Sequence, residues 1–186
     1  MLSPTLESRD LSLLDEELQE KFAALRERCR LGGILLEVAL TIRGPAAQAR
    51  DWCRSRSVAE VAGTRNSLSG RCPTIASLLR DEYAAWGPQA TDNLPGNDWH
   101  QWGQALDVFV DVGGTAVWSG SLHYVVNLIA EELGFFGMFG PRESAKRYHL
   151  QLRRFRSVLS DRDFAGNWSG LEKRLLATYD FGEKHE

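Results

Sequence analysis

Residues 99–112 read WHQWGQALDVFVDV, and this stretch passes from a polar, glycine-containing segment into a run of apolar residues. The run Gln104–Val112 is rich in aliphatic side chains and short enough to form a single buried strand. Asp107 lies in the middle of this run. A carboxylate is costly to bury unless it is paired or bound to a cation. The stretch therefore predicts a core strand whose aspartate has a cationic partner.

Hydrophobic patterns on both sides of this strand predict a small α+β domain. Apolar spacings of three and four predict helices, branched apolar runs predict strands, and Gly32 marks the end of the first helix, which Asp10 or Ser12 can cap. The predicted elements are helix 11–29, strand 34–42, helix 45–53, a weak helix within 74–86, strand 104–112, helix 121–133, strand 147–152 and helix 171–179. We expect one domain over 1–186, with a core at about 11–152, a C-terminal helical extension at 153–186, and a central antiparallel sheet flanked by helices.

Composition excludes several classes of protein. The 186 residues are 43% hydrophobic and 25% charged, which is typical of a globular domain. The net charge of −3 gives no basic field that would attract nucleic acid or an anionic membrane. No stretch reaches the roughly 20 apolar residues of a membrane helix, and residues 1–21 lack the pattern of a signal peptide. We expect a chain made in the cytoplasm, with neither nucleic acid nor membrane as its partner.

The cysteine pattern argues against a disulfide framework. Cys29, Cys53 and Cys72 are odd in number, widely spaced and free of any C-x-x-C pairing. The same spacing argues against a cysteine-rich zinc site. We expect all three to be small buried or half-buried residues.

Two histidines can join Asp107 in a metal site. His100 ends the polar segment seven residues before Asp107, and a turn at Gly103 lets the two side chains meet. His149 lies in a second strand-like run, 147–152. Imidazole and carboxylate groups suit zinc, and a catalytic zinc site has three protein ligands and an open fourth position. Spacing alone leaves an alternative open, in which His100 is a loop residue, Asp107 caps a turn and His149 is a core residue.

The pattern H-x-x-G-x-A-x-D over His100–Asp107, followed some forty residues later by His149 in a short strand, resembles a known family. It is similar to the zinc D-alanyl-D-alanine carboxypeptidases and L-alanyl-D-glutamate endopeptidases, which include phage endolysins. Glu132-Leu133-Gly134-Phe135 resembles the helix end of that family, and Leu40-Thr41-Ile42-Arg43 followed by Gln48 resembles its upstream strand and helix. The resemblance spans roughly residues 11–152 and implies a peptidase-like domain with one zinc ion, held at the sheet by His100, Asp107 and His149.

The resemblance also implies a substrate side of the site. The matching arginine of the family, Arg43 here, holds the substrate or the oxyanion of the transition state; the alternative is a surface arginine at a strand end. Trp99 can contribute to a groove for peptide or glycan, and core or rim packing is the equal alternative. Gln48 is interpreted as a structural residue.

Two positions depart from the pattern of the family. Asp98 stands where the family has a serine, so a loop contact must differ. Lys146 stands three residues before His149, where the family has a catalytic Asp or Glu, and lysine is a poor base at its ordinary pKa. Glu143 is the candidate replacement, with a solvated loop carboxylate as the alternative reading. Asp98 and Asp111 are weaker candidates.

These residues lead to one main functional hypothesis and two alternatives. The main hypothesis is a zinc metallopeptidase that hydrolyses peptide bonds of peptidoglycan stem peptides, as an L-Ala-D-Glu endopeptidase or a D,D-carboxypeptidase, after release or delivery to the cell wall. Lys146 motivates the first alternative, a non-catalytic zinc-binding module that recognises cell-wall peptides or a protein partner. In the second, the metal is purely structural.

Overall fold

The computed structural model describes residues 1–88, 90–137, 148–152 and 167–182. The helices in these ranges are α1 (Glu16–Leu31), α2 (Pro45–Cys53), α3 (Val58–Leu68), α4 (Pro73–Leu78), α5 (Ser121–Glu132) and α6 (Trp168–Thr178). The strands are β1 (Glu7–Ser8), β2 (Leu35–Leu40), β3 (Ile42–Arg43), β4 (Ala105–Val112), β5 (Thr115–Val117), β6 (Phe135–Gly137) and β7 (Tyr148–Leu152). Short 3₁₀ turns occupy Leu11–Leu13, Asp81–Tyr83 and Trp99–Trp102.

The main sheet has five strands and is antiparallel. Its order is β2-β4-β7-β6, and β5 pairs with the far end of β4. The strand predicted at 104–112 is β4, and it lies inside the sheet, bonded to β2 on one side and to β7 on the other. Helix α1 packs on β2 and α5, and α5 packs on β6. The predicted α+β fold, with an antiparallel sheet flanked by helices, is confirmed.

Contacts within the chain divide it into two compact units. One comprises Met1–Glu7, Arg43–Gln101 and Val158–Glu186, and the other comprises Ser8–Ile42 and Trp102–Ser157. The second unit contains the five-stranded sheet with α1 and α5, and the first contains α2, α3, α4 and α6. The single domain expected from the sequence stays a prediction. Nowhere in the described ranges is a helix both long enough and apolar enough to cross a membrane.

The first helix begins later than its apolar spacing predicts. Leu11–Leu13 forms a separate 3₁₀ turn, capped by Asp10, whose carboxylate accepts from Ser12 N at 2.9 Å. Asp15 then caps α1 by accepting from Glu17 N at 3.2 Å. Two caps in succession therefore divide one apolar stripe into two elements. The predicted stop is confirmed at Gly32, and the buried stripe of α1 is Leu18, Phe22, Leu25 and Cys29.

Helix α3 was not predicted, since no element was expected between residues 53 and 74. Ser57 and Glu60 form a capping box: Ser57 N donates to Glu60 Oε2 at 2.8 Å, and Glu60 N donates to the Ser57 hydroxyl at 3.3 Å. The Ser-x-x-Glu signal was therefore present in the sequence. Only Val61 and Leu68 of this helix are buried, so its apolar pattern is weak.

The three cysteines are buried, as predicted. Each of them is free and has no exposed surface. Burial raises the pKa of the Cys29 and Cys53 thiols above their ordinary value. For Cys72 burial and a hydrogen bond to Glu172 Oε2 at 2.9 Å together raise the pKa to about 12. All three are therefore neutral at physiological pH.

Candidate metal centre

The pairing of β4 with β7 places Asp107 directly opposite His149. Side chains alternate between the two faces of a strand, and directly opposite residues in an antiparallel pair share one face. On the other face Leu106, Val108 and Leu150 are all fully buried. The alternation of apolar and polar residues therefore fixes the register, and the register presents the aspartate and the histidine on the face away from these residues.

His100 comes from the 3₁₀ turn Trp99–Trp102, just before β4, and is 3% exposed. Gly103 ends this turn with a φ of +65°, a left-handed conformation that strains any residue with a Cβ. A Cβ at Gly103 would also collide with the carbonyl oxygen of Leu13. The glycine of H-x-x-G is therefore needed both for the turn and for the close approach of the backbone.

Three contacts hold this turn in place. His100 N donates to Asp98 Oδ1 at 3.0 Å, an Asx-type turn. The hydroxyl of Tyr179 donates to Gln101 O, and Gly96 N donates to Gln101 Oε1. Tyr179 is 1% exposed, and burial raises the pKa of its hydroxyl, so it remains a donor at all ordinary pH values. The C-terminal extension thus fixes the backbone beside His100.

The structure brings the three predicted ligands together. One ligand atom from each of His100, Asp107 and His149 lies within 4.8 Å of the other two. His149 Nδ1 is 3.3 Å from Asp107 Oδ1. Two atoms bound to one zinc ion at about 2.1 Å, at a tetrahedral angle, lie about 3.4 Å apart, so this pair already has the spacing of zinc ligands. The side chain of His149 is 21% exposed and that of Asp107 is 6% exposed, which leaves a side open to solvent.

The donor set fits a metal ion. Two imidazoles and one carboxylate supply nitrogen and oxygen lone pairs, the ligand set that zinc uses in sites with an open position. Spacing alone had left an alternative in which the three residues serve separately, as a loop residue, a turn cap and a core residue. That alternative does not describe this geometry, since their ligand atoms lie within 4.8 Å of one another. The structure therefore supports a metal-binding group of the predicted composition, and the identity of the metal is a matter for the proposal below.

Arg43 lies in a second buried polar cluster. It is 7% exposed, so it is not the surface arginine that the alternative reading describes. Arg43 Nη1 is 3.7 Å from Asp98 Oδ2, and Nε is 3.9 Å from Asp51 Oδ2. Nη1 also donates to Gln48 Oε1 at 3.3 Å. The guanidinium therefore has two carboxylates as neighbours within the protein, and its role toward a substrate stays a prediction.

Gln48 forms hydrogen bonds both with Arg43 and with the 91–93 segment, which precedes His100 in the chain. It has no exposed surface. Its Nε2 donates to Thr91 Oγ1 at 3.0 Å and to Asn93 O at 2.7 Å. Gln48 thus joins Arg43 on one side to the 91–93 segment on the other, and these contacts agree with the structural interpretation of this residue.

Asp98 makes contacts that its sequence position did not predict. From the sequence it is only a departure from the serine of the family and a weak candidate base. In the structure one carboxylate oxygen accepts from His100 N, and the other faces Arg43. Asp98 thus links the side chain of Arg43 to the backbone of His100. An aspartate two residues before a turn residue is an Asx-turn signal, which could have indicated the first contact.

The other residues that the sequence analysis singled out lie in different places, and some of them are outside the described residues. Trp99 is half-buried in the turn beside His100. Glu143, the candidate base, and Lys146 lie outside the described residues. Asp111 lies four residues beyond Asp107 on β4, about 13 Å along the strand, and accepts from Gly114 N in the hairpin before β5. It is therefore too distant to act as a base at the metal centre.

Comparison with known proteins adds no family assignment. No protein-family model matches the chain, and no curated protein matches it significantly. The family resemblance consequently rests on the motif residues themselves.

Proposed function

We propose that this protein is a zinc metallopeptidase that hydrolyses peptide bonds in peptidoglycan stem peptides, of the L-Ala-D-Glu endopeptidase or D,D-carboxypeptidase type. One observation carries the proposal: His100, Asp107 and His149 bring three ligand atoms within 4.8 Å of one another. The motif around these residues supplies the substrate class, through its resemblance to the peptidoglycan peptidases. The protein would act at the cell wall after release or delivery.

Each residue of the group has a definite task in this proposal. Asp107 supplies the negative charge that favours a divalent cation, and His100 and His149 supply neutral nitrogen ligands. When bound, zinc would polarise a peptide carbonyl and lower the pKa of water at the open position. The partly exposed side of His149 leaves access for a substrate, whereas His100 and Asp107 are shielded by the protein.

Two further residues complete the proposed site. Arg43 has the charge and the planar fork that suit a carboxylate or a developing oxyanion, and its contacts to Asp98 and Asp51 would hold the fork in one orientation. Glu143 is the proposed base, which would take a proton from water and return it to the leaving amine. Trp99, beside His100, is proposed to contact the peptide.

The competing function is a non-catalytic zinc-binding module for cell-wall peptides or a protein partner. Lys146, at the position where the family has a carboxylate, favours it. The variant Glu143→Gln separates the two functions. An enzyme that uses Glu143 as its base would lose turnover and keep its zinc, whereas a binding module would lose neither zinc nor peptide affinity.

The decisive experiment is mass spectrometry of purified peptidoglycan fragments incubated with the zinc-loaded protein. We expect new peptide termini whose masses identify the bond that is cleaved. His149→Ala is the control, since it removes a ligand from the partly exposed side of the group. Intact fragments from a protein that holds one zinc ion would reject the peptidase and favour the binding module. A protein that takes up no zinc would reject both functions.

A further inference from the structure

A buried glutamine contacts one of the predicted ligands. Gln151 lies two residues after His149 on β7, on the same face of the strand, and is 3% exposed. Its Oε1 is 2.9 Å from His149 Nε2. The other ring nitrogen, Nδ1, faces Asp107 Oδ1 at 3.3 Å. The two nitrogens of one imidazole are thus directed at two different oxygen atoms.

These two contacts decide which nitrogen can bind a metal. A neutral imidazole has one N–H and one lone pair. Gln151 Oε1 and the ionised Asp107 carboxylate both accept, so a neutral His149 can donate to only one of them. When a metal ion lies between Nδ1 and Asp107, Nε2 carries the hydrogen and donates to Gln151, and the lone pair is on Nδ1. Nδ1 is the nitrogen that lies beside Asp107. The hydrogen bond to Gln151 therefore turns the lone pair of His149 toward the other ligands.

The sheet register explains why a glutamine reaches this position. Gln151 is paired with Ala105, and His149 is paired with Asp107. Because Ala105 contributes only a methyl group to that face, the glutamine side chain has room to extend along the strand toward His149. Residues two apart on a strand are about 6.7 Å apart, a gap that a glutamine side chain bridges.

We propose that Gln151 is a positioning residue that fixes His149 as an Nδ1 ligand of the metal ion. This inference rests on the proposed metal site and goes beyond it by assigning the ligand atom and the residue that selects it. Partners of this kind orient a histidine ligand and tune its basicity, and their loss costs about 10- to 100-fold in metal affinity. The amide differs from a carboxylate partner in leaving the imidazole less basic.

The inference has one sharp competitor, in which the group is a hydrogen-bonded pair without a metal. In that arrangement Nδ1 would carry the hydrogen and donate to Asp107, and the amide nitrogen of Gln151 would donate to Nε2. The amide orientation in the structure favours the first arrangement. The two arrangements place the hydrogen on opposite nitrogens, so one measurement distinguishes them.

That measurement is long-range ¹H–¹⁵N correlation NMR of histidine-labelled full-length protein, at a pH where His149 is neutral, before and after addition of zinc. In the zinc-bound protein we expect the hydrogen on Nε2 and the zinc-induced shift at Nδ1. A zinc-induced shift at Nε2, or a hydrogen on Nδ1 in the zinc-bound protein, would overturn the inference and leave the proposed function standing. A protein that takes up no zinc would overturn both.

Zinc affinity of variants provides an independent test. Gln151→Met keeps the size of the side chain and removes the acceptor, so we expect zinc affinity about 10- to 100-fold lower. Gln151→Glu keeps the acceptor, adds basicity and should bind zinc at least as tightly as the wild type. The control is Gln19→Met on α1, where the lost contact is Gln19 Nε2 to Leu14 O at 2.8 Å. Equal affinity in the Gln151→Met and Gln19→Met variants would overturn the inference.

Discussion

Asp107 and Asp98 are both buried carboxylates, 4% and 6% exposed, and they are surrounded by different chemical groups. Asp98 has a permanent cation beside it, since Arg43 Nη1 is 3.7 Å away. Asp107 is grouped with two imidazoles, His100 and His149, which are lone-pair donors when neutral. One cluster is an ion pair with arginine, and the other holds three atoms of the kind that bind metal ions.

The difference teaches how a structural ion pair can be told from a ligand set. Both clusters are polar residues in apolar surroundings, and burial alone does not separate them. The charges of the partner residues separate the two clusters, because arginine is permanently charged whereas imidazole is neutral at and above neutral pH. We therefore expect the stability of one cluster to depend on metal concentration, and that of the other to depend only on its own residues.

The largest expected effect is the dependence of stability on zinc. At a free zinc concentration of 1,000 times Kd, binding to the folded state adds about 4 kcal/mol to the free energy of unfolding. For a chain of this length the melting temperature would rise by about 8–16 °C. Calorimetry with zinc and with chelator measures this shift. Asp107→Ala should abolish it, and Asp111→Ala, on the same strand, should preserve it. An equal shift in both variants would place the zinc elsewhere.

The next effect belongs to the arginine cluster. Arg43→Met leaves the buried Asp98 and the partly buried Asp51 without their cation, which should lower the free energy of unfolding by about 3 kcal/mol. Urea denaturation with chelator present measures this loss. Adding Asp98→Asn to the methionine variant should recover part of it. A raised KM for stem peptides without loss of stability would instead support the substrate-binding role of Arg43.

A smaller effect is expected at the turn that joins His100 to β4. Gly103→Ala introduces a Cβ at a φ of +65° and against Leu13 O, and should destabilise the fold by about 2 kcal/mol. Gly63→Ala on α3 is the matched control. No atom lies within 4 Å of a Cβ there, and alanine favours a helix, so that variant should be slightly stabilised. Similar results for both variants would show that the turn tolerates a side chain.

The smallest effect concerns a third buried polar contact, between Cys72 and Glu172. The pKa of Cys72 is raised from 9.0 to about 12, so the folded state keeps a proton that the unfolded state loses in this range. The free energy of unfolding should therefore fall as pH rises above 9, by up to about 1.4 kcal/mol per pH unit. Comparing wild type with Cys72→Ser by urea denaturation isolates this contribution. Parallel pH profiles would contradict the shift.

The sequence was sufficient for the core strand because its apolar run is a local pattern, whereas the candidate metal group also needed the family resemblance, since spacing alone left an alternative open. The apolar run around Asp107 is strand-like in itself, and His149 lies in a strand whose alternation of apolar and polar residues allows one useful register. Gly103 could be assigned to a turn from its residue type. The three candidate ligands were therefore predicted as a group from the motif that they share with the peptidase family, and not from spacing alone.

The supporting contacts were not predictable, because they join residues that are distant in the sequence. The contact between Arg43 and Asp98 spans 55 positions, and that between Tyr179 and Gln101 spans 78. No local pattern indicates which buried arginine meets which carboxylate. The start of α1 was misplaced for another reason, since Leu11–Leu13 has the same apolar spacing as the helix and only the second cap, Asp15, divides them.

If the proposed zinc site forms, the register of β4 and β7 would make metal binding a test of correct folding. A slip of one residue would exchange the faces of β7, sending His149 toward the core and Leu150 into the ligand group. Such a molecule would have the same composition and much of the native secondary structure, but it would not bind the metal. A zinc titration would therefore measure the fraction of molecules in which β4 and β7 are paired in the correct register. During refolding, zinc would bind only the correctly paired chains and would stabilise them while other chains still exchange registers.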